Sequence, residues 1–310
     1  MENRIVFMGT PAIAADVLQA LLDARANIVL AVTQPDRPSG RKNQLHACEV
    51  KQLAIENDIP VFQPERIRKD YQALVDAQPD LIITCAYGQI VPKEVLDLPK
   101  RSAVNLHGSI LPEYRGAAPI QRAIMDGKKQ SGMSLMKMEV GMDTGGVADV
   151  EFIDLSPDET TTSLFEKMGQ AAGRLVVKNL DALLEGTLEF VPQEESKATY
   201  AAKISREEEE IDLSGSDQQI YNQIRGLSRT PGGFVNTKAG KLKILSARYE
   251  KGNTPGLGVF DKQGKKQMIM GLHDGVLLLD EVQLPGKPAM KSVDFVNGKG
   301  RSLLNTKAGE

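Results

Sequence analysis

Cysteine is nearly missing from this chain: Cys48 and Cys85 are the two among 310 residues, too few and too far apart for a disulfide framework. Histidine is scarce as well, with His46, His107 and His273 as the three, and no Cys-x-x-Cys or His-x-x-x-His spacing points to a metal site. No apolar run approaches the ~20 residues needed to span a bilayer. The N-terminus enters a strand-like run, Ile5-Val6-Phe7-Met8, without the apolar core of a signal peptide, so a cytoplasmic protein is expected. Gly-x-Gly-x-x-Gly, Gly-Lys-Ser/Thr and a Gly-x-Ser-x-Gly nucleophile elbow are all lacking. Gly9-Thr10-Pro11 has the place of a nucleotide loop but not its glycines, and dinucleotide and ATP readings are rejected. Repeats and low-complexity segments are absent too.

The formal net charge is −3, which argues against polyanion binding by the chain as a whole. That value hides an asymmetry. Residues 211–310 carry 15 Lys+Arg against 9 Asp+Glu, a balance of +6, leaving 23 against 32, or −9, for residues 1–210. The length favours two domains over one, and 41% hydrophobic residues supply a core for each.

Strand-like and helix-like patterns alternate through the first part of the chain: Ile5–Met8, Ala12–Ala24, Ile28–Val32, Glu49–Glu56, Glu65–Ala77 and Leu81–Ala86. Further strands are expected at Ala103–Leu106, Gly132–Lys137 and Val147–Ile153, then a long amphipathic helix from Thr161 to Leu184. This order predicts a doubly wound, mostly parallel α/β sheet over residues 1–186, with ligands gathering beyond the carboxyl ends of its strands. Periodicity lapses in residues 187–204, read as an extended connector. Residues 205–310 show one helix, Asp217–Gly226, then short alternating runs separated by glycines, which predicts a small β-barrel of oligonucleotide-binding type.

The chemistry concentrates in residues 104–120, Val-Asn-Leu-His-Gly-Ser-Ile-Leu-Pro-Glu-Tyr-Arg-Gly-Ala-Ala-Pro-Ile. Alternation along a strand sets Asn105 and His107 on one face, beside a Gly- and Pro-bearing loop that cannot continue a central strand. A second cluster, Gly141-Met142-Asp143-Thr144-Gly145-Gly146, offers one carboxylate in a glycine-lined turn. Each has a plainer reading, the first as a buried polar pair satisfied by backbone, the second as a turn acid bonding its own chain. Together, an amide, an imidazole and a carboxylate without a nucleophilic Ser or Cys suit direct attack of an amine on a carbonyl. Asn105 and a protonated His107 would stabilise the tetrahedral oxyanion at ~3–4 kcal/mol per donor, and Asp143 would relay protons. The long loop Thr33–Lys42 exposes Arg37, Arg41 and Lys42, free to meet phosphate or simply solvated.

With those residues quoted, the chain resembles the folate-dependent formyltransferases, and specifically their two-domain branch. Asn105-Leu106-His107, Ser109-Ile110-Leu111-Pro112, Arg115 to Gln121 and Gly141 to Gly145 match that family's signature. So do Phe7 to Pro11, Thr33 to Arg41, Ala86 to Pro92, Thr199 to Ile204 and Ile211-Asp212, so the match spans nearly the whole chain. The resemblance implies transfer of the formyl group of 10-formyltetrahydrofolate to the α-amino group of methionine on initiator tRNA. It implies Asn105, His107 and Asp143 as the catalytic set, and no metal. Folate is then expected along Ala86, Tyr87, Gly88, Gln89, Ile90 and Val91, against Ser109, Ile110, Leu111, Pro112 and the Val140, Gly141, Met142 turn. The loop with Arg37, Arg41 and Lys42 is expected to meet the tRNA acceptor stem, and the basic C-terminal domain to hold the rest. A monomer without membrane attachment is the expected form.

The chain departs from the family by lacking tryptophan, so Leu213 follows Ile211-Asp212, and by the turn Leu227 to Gly233. Two rivals stay open at this level: a formyltransferase of a small amine such as an amino sugar or glycinamide ribonucleotide, and a non-catalytic nucleic-acid-binding protein. The first gives the appended basic domain no use, and the second gives no reason to keep all three catalytic side chains.

Overall fold

The structure is a computed structural model that describes residues 3–39, 44–264 and 266–309. The residues cluster into two compact units, one of Met1–Gly116, Gln130–Asp154 and Phe165–Ala201, the other of Ala117–Lys129, Leu155–Leu164 and Ala202–Glu310. In chain order the elements are β1 (Ile5–Gly9), α1 (Ala12–Asp23), β2 (Ile28–Val32), β3 (Arg37–Ser39), β4 (Gln44–His46), α2 (Glu49–Glu56) and β5 (Val61–Phe62). Then follow α3 (Gln72–Ala77), β6 (Leu81–Cys85), α4 (Lys93–Leu96), β7 (Ser102–His107), β8 (Arg115–Gly116), α5 (Pro119–Met125), β9 (Gln130–Lys137), β10 (Val147–Asp154) and α6 (Thr161–Glu185). After β11 (Tyr200–Ala201) come α7 (Asp217–Gly226), β12 (Gly233–Thr237), β13 (Gly240–Lys251), β14 (Phe260–Gln263), β15 (Gln267–Gly271), β16 (Gly275–Gln283), β17 (Met290–Lys291) and α8 (Ser292–Asn297).

The first unit is built on a seven-stranded sheet in the order β10-β9-β7-β6-β1-β2-β5. The almost wholly apolar runs of β1 and β6, broken only by Thr84, are buried at every residue, as strands covered on both faces require. Strands β5, β2, β1, β6 and β7 pair in parallel, whereas β9 joins β7 antiparallel and β10 extends that antiparallel edge. The mostly parallel sheet therefore ends in a hairpin, and the turn between its strands carries Asp143. Gly9 explains itself by packing: a Cβ there would lie 2.6 Å from the Ala14 Cβ and 2.8 Å from the Cys85 carbonyl oxygen. The glycine lets the β1–α1 turn pass against β6, a role that needs no phosphate.

Two local expectations change. The helix expected over Glu65–Ala77 begins at Gln72, because residues 65–70 form turns. The Gln89 side chain fixes them, accepting from the Ile67 N–H at 2.8 Å and donating to the Pro64 carbonyl at 3.0 Å. The Thr33–Lys42 loop is in part a hairpin, with Arg37 opposite His46 on β3 and β4. Its base is tied down by Gln63, which donates to the Gln34 carbonyl at 2.8 Å and Asp36 at 2.9 Å, and by the Lys51–Asp36 ion pair.

The second unit holds an antiparallel sheet in the order β12-β13-β16-β15-β14, with β17 on β16. Its core gathers Ile220, Ile224, Leu242, Ile244, Phe260, Met268, Leu277 and Leu279. Helix α7 starts where the sequence provides a capping box: the Gln219 N–H donates to the Ser216 hydroxyl and the Gln219 side chain accepts from the Ser216 N–H. A register shift in β13 between Ile244 and Ala247 bends the longest strand. Among the described residues no helix is long and apolar enough to cross a membrane.

Candidate active site

Strand β7 lies between β6 and β9, with Asn105 opposite Thr84 on one side and Met136 on the other. Asn105 and His107 are two apart at its carboxyl end and so share a face. The Asn105 side chain makes no hydrogen bond among the described residues, and it is partly exposed. The plainer reading, a buried pair satisfied by neighbouring backbone, therefore applies only to its partner. His107 is buried, and its Nε2 lies 2.9 Å from the Tyr114 carbonyl oxygen. A carbonyl only accepts, so Nε2 carries the proton and Nδ1 is left to exchange one.

That free nitrogen faces Asp143: Nδ1 is 3.6 Å from Asp143 Oδ2. Asp143 sits in the turn after β9 with φ at 56°, a left-handed conformation that a short polar side chain tolerates. Its Oδ2 accepts from the Gly116 N–H at 2.8 Å. Gly116 has φ at 122°, and a Cβ on it would come within 2.7 Å of the Ala201 carbonyl oxygen. Only glycine lets β8 present this N–H to the acid while pairing with β11.

The loop after β7 is stitched to β9 by Ser134, which is fully buried. Its hydroxyl donates to the Ser109 carbonyl at 2.6 Å and accepts from the Leu111 N–H at 3.1 Å. The Ser109 hydroxyl donates to the Glu113 carbonyl at 2.6 Å, so Ser109, Leu111 and Pro112 form a fixed wall beside His107. Ile110 is half-buried in the same loop.

The segment after β6 is uneven. Ala86 and Gly88 have φ at 46° and 90° and are exposed, and Ile90 is 82% exposed. Tyr87 instead turns its ring into the core beside Val6, Met8 and Val95. Burial pushes its phenol up to about 12, and its hydroxyl has no hydrogen-bond partner among the described residues. The Tyr87 carbonyl is also occupied, accepting from Thr10 and from Gln34, each at 3.1 Å. Gln89 serves the turn at Pro64 and Ile67, and Val91 is half-buried. Val140 and Met142, at the β9 turn, are 77% and 60% exposed, with Gly141 between them at φ 142°.

Arg37 is exposed on β3, whereas Arg41 and Lys42 lie outside the described residues. His46 and His273 are both exposed and stand apart from His107 in the chain and in its elements. Among the described residues no group of three His, Cys, Asp or Glu side chains could hold a metal. Reading residue types along the chain missed the Tyr114 carbonyl, the Gly116 N–H and the Ser134 hydroxyl. Tyr114-Arg115-Gly116 carries no period, and backbone groups leave no trace in a residue pattern. The glycine beside a run of polar candidates was the one available signal.

Comparison with known proteins adds the following. Residues 3–180 match a family model described as formyl transferase, and residues 203–300 match one described as formyl transferase, C-terminal domain. A methionyl-tRNA formyltransferase of Listeria monocytogenes is 39% identical over 310 residues, covering 98% of both chains. Among solved structures, the N-formyltransferase of Helicobacter canadensis, in complex with folinic acid and dTDP-3-aminofucose, matches with TM-score 0.69 at 18% identity, over 90% of this chain and 99% of that one. HypX of Aquifex aeolicus in complex with tetrahydrofolic acid matches with TM-score 0.72 at 15% identity, over 98% of this chain, which spans about half (49%) of that protein. At those identities the two structures establish the fold alone.

Proposed function

Because the chain belongs to the formyl transferase family, we propose that it moves the formyl group of 10-formyltetrahydrofolate onto the α-amino group of methionyl initiator tRNA, by direct attack of the amine. The folate co-substrate is what the family uses, and the acceptor is that of the full-length relative. The observation that carries the reading is the His107 ring, fixed by the Tyr114 carbonyl at one nitrogen and aimed at Asp143 with the other, two residues from an Asn105 amide that no group among the described residues uses.

Asn105 supplies an N–H donor where negative charge develops on the formyl oxygen, and the Nδ1–H of the protonated His107 ring, the one the Tyr114 carbonyl leaves free, is shared between that oxygen and Asp143. Such preorganised donors are each worth ~3–4 kcal/mol in acyl-transfer chemistry. Asp143 holds the imidazolium and takes part in moving the proton from the attacking amine to the departing nitrogen, an assistance of ~10²–10⁴-fold. No side chain of the chain bonds covalently to the transferred group.

Exposed apolar side chains at Ile90, Val140 and Met142 flank the loops after β6 and β9 and fit the walls of a planar heterocycle. Folate is assigned to residues 86–91, 109–112 and 140–142. Burial of the Tyr87 ring leaves the exposed backbone of Ala86 and Gly88 as the polar side of that slot. Arg37, Arg41 and Lys42 are assigned to the acceptor stem, and residues 205–310, whose 211–310 part carries the +6 balance, to the rest of the tRNA, in the cytoplasm.

The deciding experiment offers 10-formyltetrahydrofolate with charged methionyl initiator tRNA, an amino-sugar nucleotide or glycinamide ribonucleotide. Formylation of the charged tRNA is expected; formylation of a small amine instead sinks the proposal. Asn105→Ala is expected to abolish transfer with tRNA affinity retained, and Arg41→Ala to raise KM for the charged tRNA.

A further inference from the structure

We propose that Gln193 is a positioning residue for Asp143, the device that holds the acid in register with His107. This rests on the function proposed above. Residues 187–204 read as a connector, but from Gln193 to Ala201 they are strapped onto the active-site loops. The Arg115 N–H donates to the Thr199 carbonyl at 2.8 Å, the Tyr114 N–H donates to the Thr199 hydroxyl at 2.8 Å, and β11 pairs with β8.

Gln193 is the point where this strap reaches the acid. Its side-chain Nε2 donates to the Asp143 carbonyl at 2.8 Å and to the Gly145 carbonyl at 2.7 Å. Its Oε1 accepts from Arg115 Nε at 3.1 Å. An arginine can only donate and a carbonyl can only accept, so the amide has one orientation and both its N–H groups are used. Arg115 in turn is wholly buried and gives both terminal nitrogens to Glu195 at 2.9 Å each. Hydrogen bonding to Glu195 holds the guanidinium above its ordinary pKa, so the anchor stays charged.

Asp143 is thus gripped at two points that both lead to Arg115. The Gly116 N–H, next in the chain, holds the carboxylate, and Gln193, on the Arg115 side chain, holds the main-chain carbonyl. Asp143 is in left-handed conformation, and Gln193 bonds two carbonyls of its turn. Without it the acid is free to move relative to a ring nitrogen 3.6 Å away.

The test compares Gln193→Ala and Gln193→Glu. The glutamate keeps a partner for Arg115 and the side-chain volume but has no N–H for the two carbonyls and sets an acceptor oxygen against them. The positioning role predicts a fall in kcat of about 10²-fold for both variants, the cost of a misplacement on the order of 1 Å, with both KM values within about twofold. In an Asp143→Asn background Gln193→Ala should then cost less than about threefold more, since the two act as a unit. Near-normal kcat for Gln193→Glu, or a full additional loss in the Asp143→Asn background, overturns the proposal. Should the wild-type protein formylate none of the acceptors, the function fails, and the Gly116 amide resonance decides this inference separately. It reports the carboxylate position and must shift in Gln193→Glu; an unmoved resonance overturns the positioning role.

Discussion

Replacing Asp143 with asparagine isolates the charge of the acid from its shape. The asparagine side chain keeps an oxygen that accepts from the Gly116 N–H, now 2.8 Å from Oδ2, so the turn retains its anchor. What disappears is a negative charge 3.6 Å from His107 Nδ1. For unit charges at that separation the attraction is about 4–5 kcal/mol at an effective dielectric of about 20. The low value of that constant is justified by side-chain exposures of 7% for His107 and 19% for Asp143. If the ring gains its positive charge on the way to the transition state, the loss corresponds to about a 10³-fold fall in kcat. The assay is single-turnover formylation of charged methionyl tRNA with saturating 10-formyltetrahydrofolate, beside a thermal melt. An Asp143→Asn protein that melts with the wild type and keeps more than about a tenth of its kcat refutes a charged His107 held by Asp143.

Gly116→Ala places a Cβ within 2.7 Å of the Ala201 carbonyl at φ 122° and should destabilise the first unit by ~1–3 kcal/mol, read from the denaturant midpoint. Tyr87→Phe removes a buried hydroxyl that has no partner among the described residues, and should leave stability equal or higher by up to ~1–3 kcal/mol in a urea melt, with the KM for 10-formyltetrahydrofolate unchanged. In the second unit, hydrogen bonds from Arg122 hold Glu208 down at about 2, below its ordinary 4.5. A folded value below the unfolded one means that its stabilisation is complete above pH 4.5 and is lost as pH falls toward about 2. Glu208→Gln should therefore lower stability between pH 6 and 8, roughly the range where carboxylates stay ionised, and flatten the acid limb in that window; an unchanged acid limb would refute the pairing.

Much of the fold was written in period and composition. The apolar runs Ile5–Met8, Ile28–Val32 and Leu81–Cys85 are too continuous for a half-exposed strand and became the parallel centre of the sheet. The helix expected over Asp217–Gly226 forms with those bounds, its start held by the local capping box of Ser216 and Gln219. The β9–β10 edge and the 65–70 turns were less legible. Strand direction and a turn fixed by Gln89 both depend on partners distant in the chain.

The identities of Asn105, His107 and Asp143, their residue types and the shared face of the first two were set by the sequence, since alternation along a strand is a property of the backbone itself. Tertiary structure decided which nitrogen of His107 bears the proton, which way Asp143 faces, and that the ring of Tyr87 packs into the core. It also decided that Gln193, in a stretch with no periodicity, bonds the Asp143 carbonyl. Those are relations between groups from 7 residues apart, as His107 and Tyr114, to 50 apart, as Gln193 and Asp143, fixed by hydrogen-bond direction and close packing, and no local pattern of side chains encodes them.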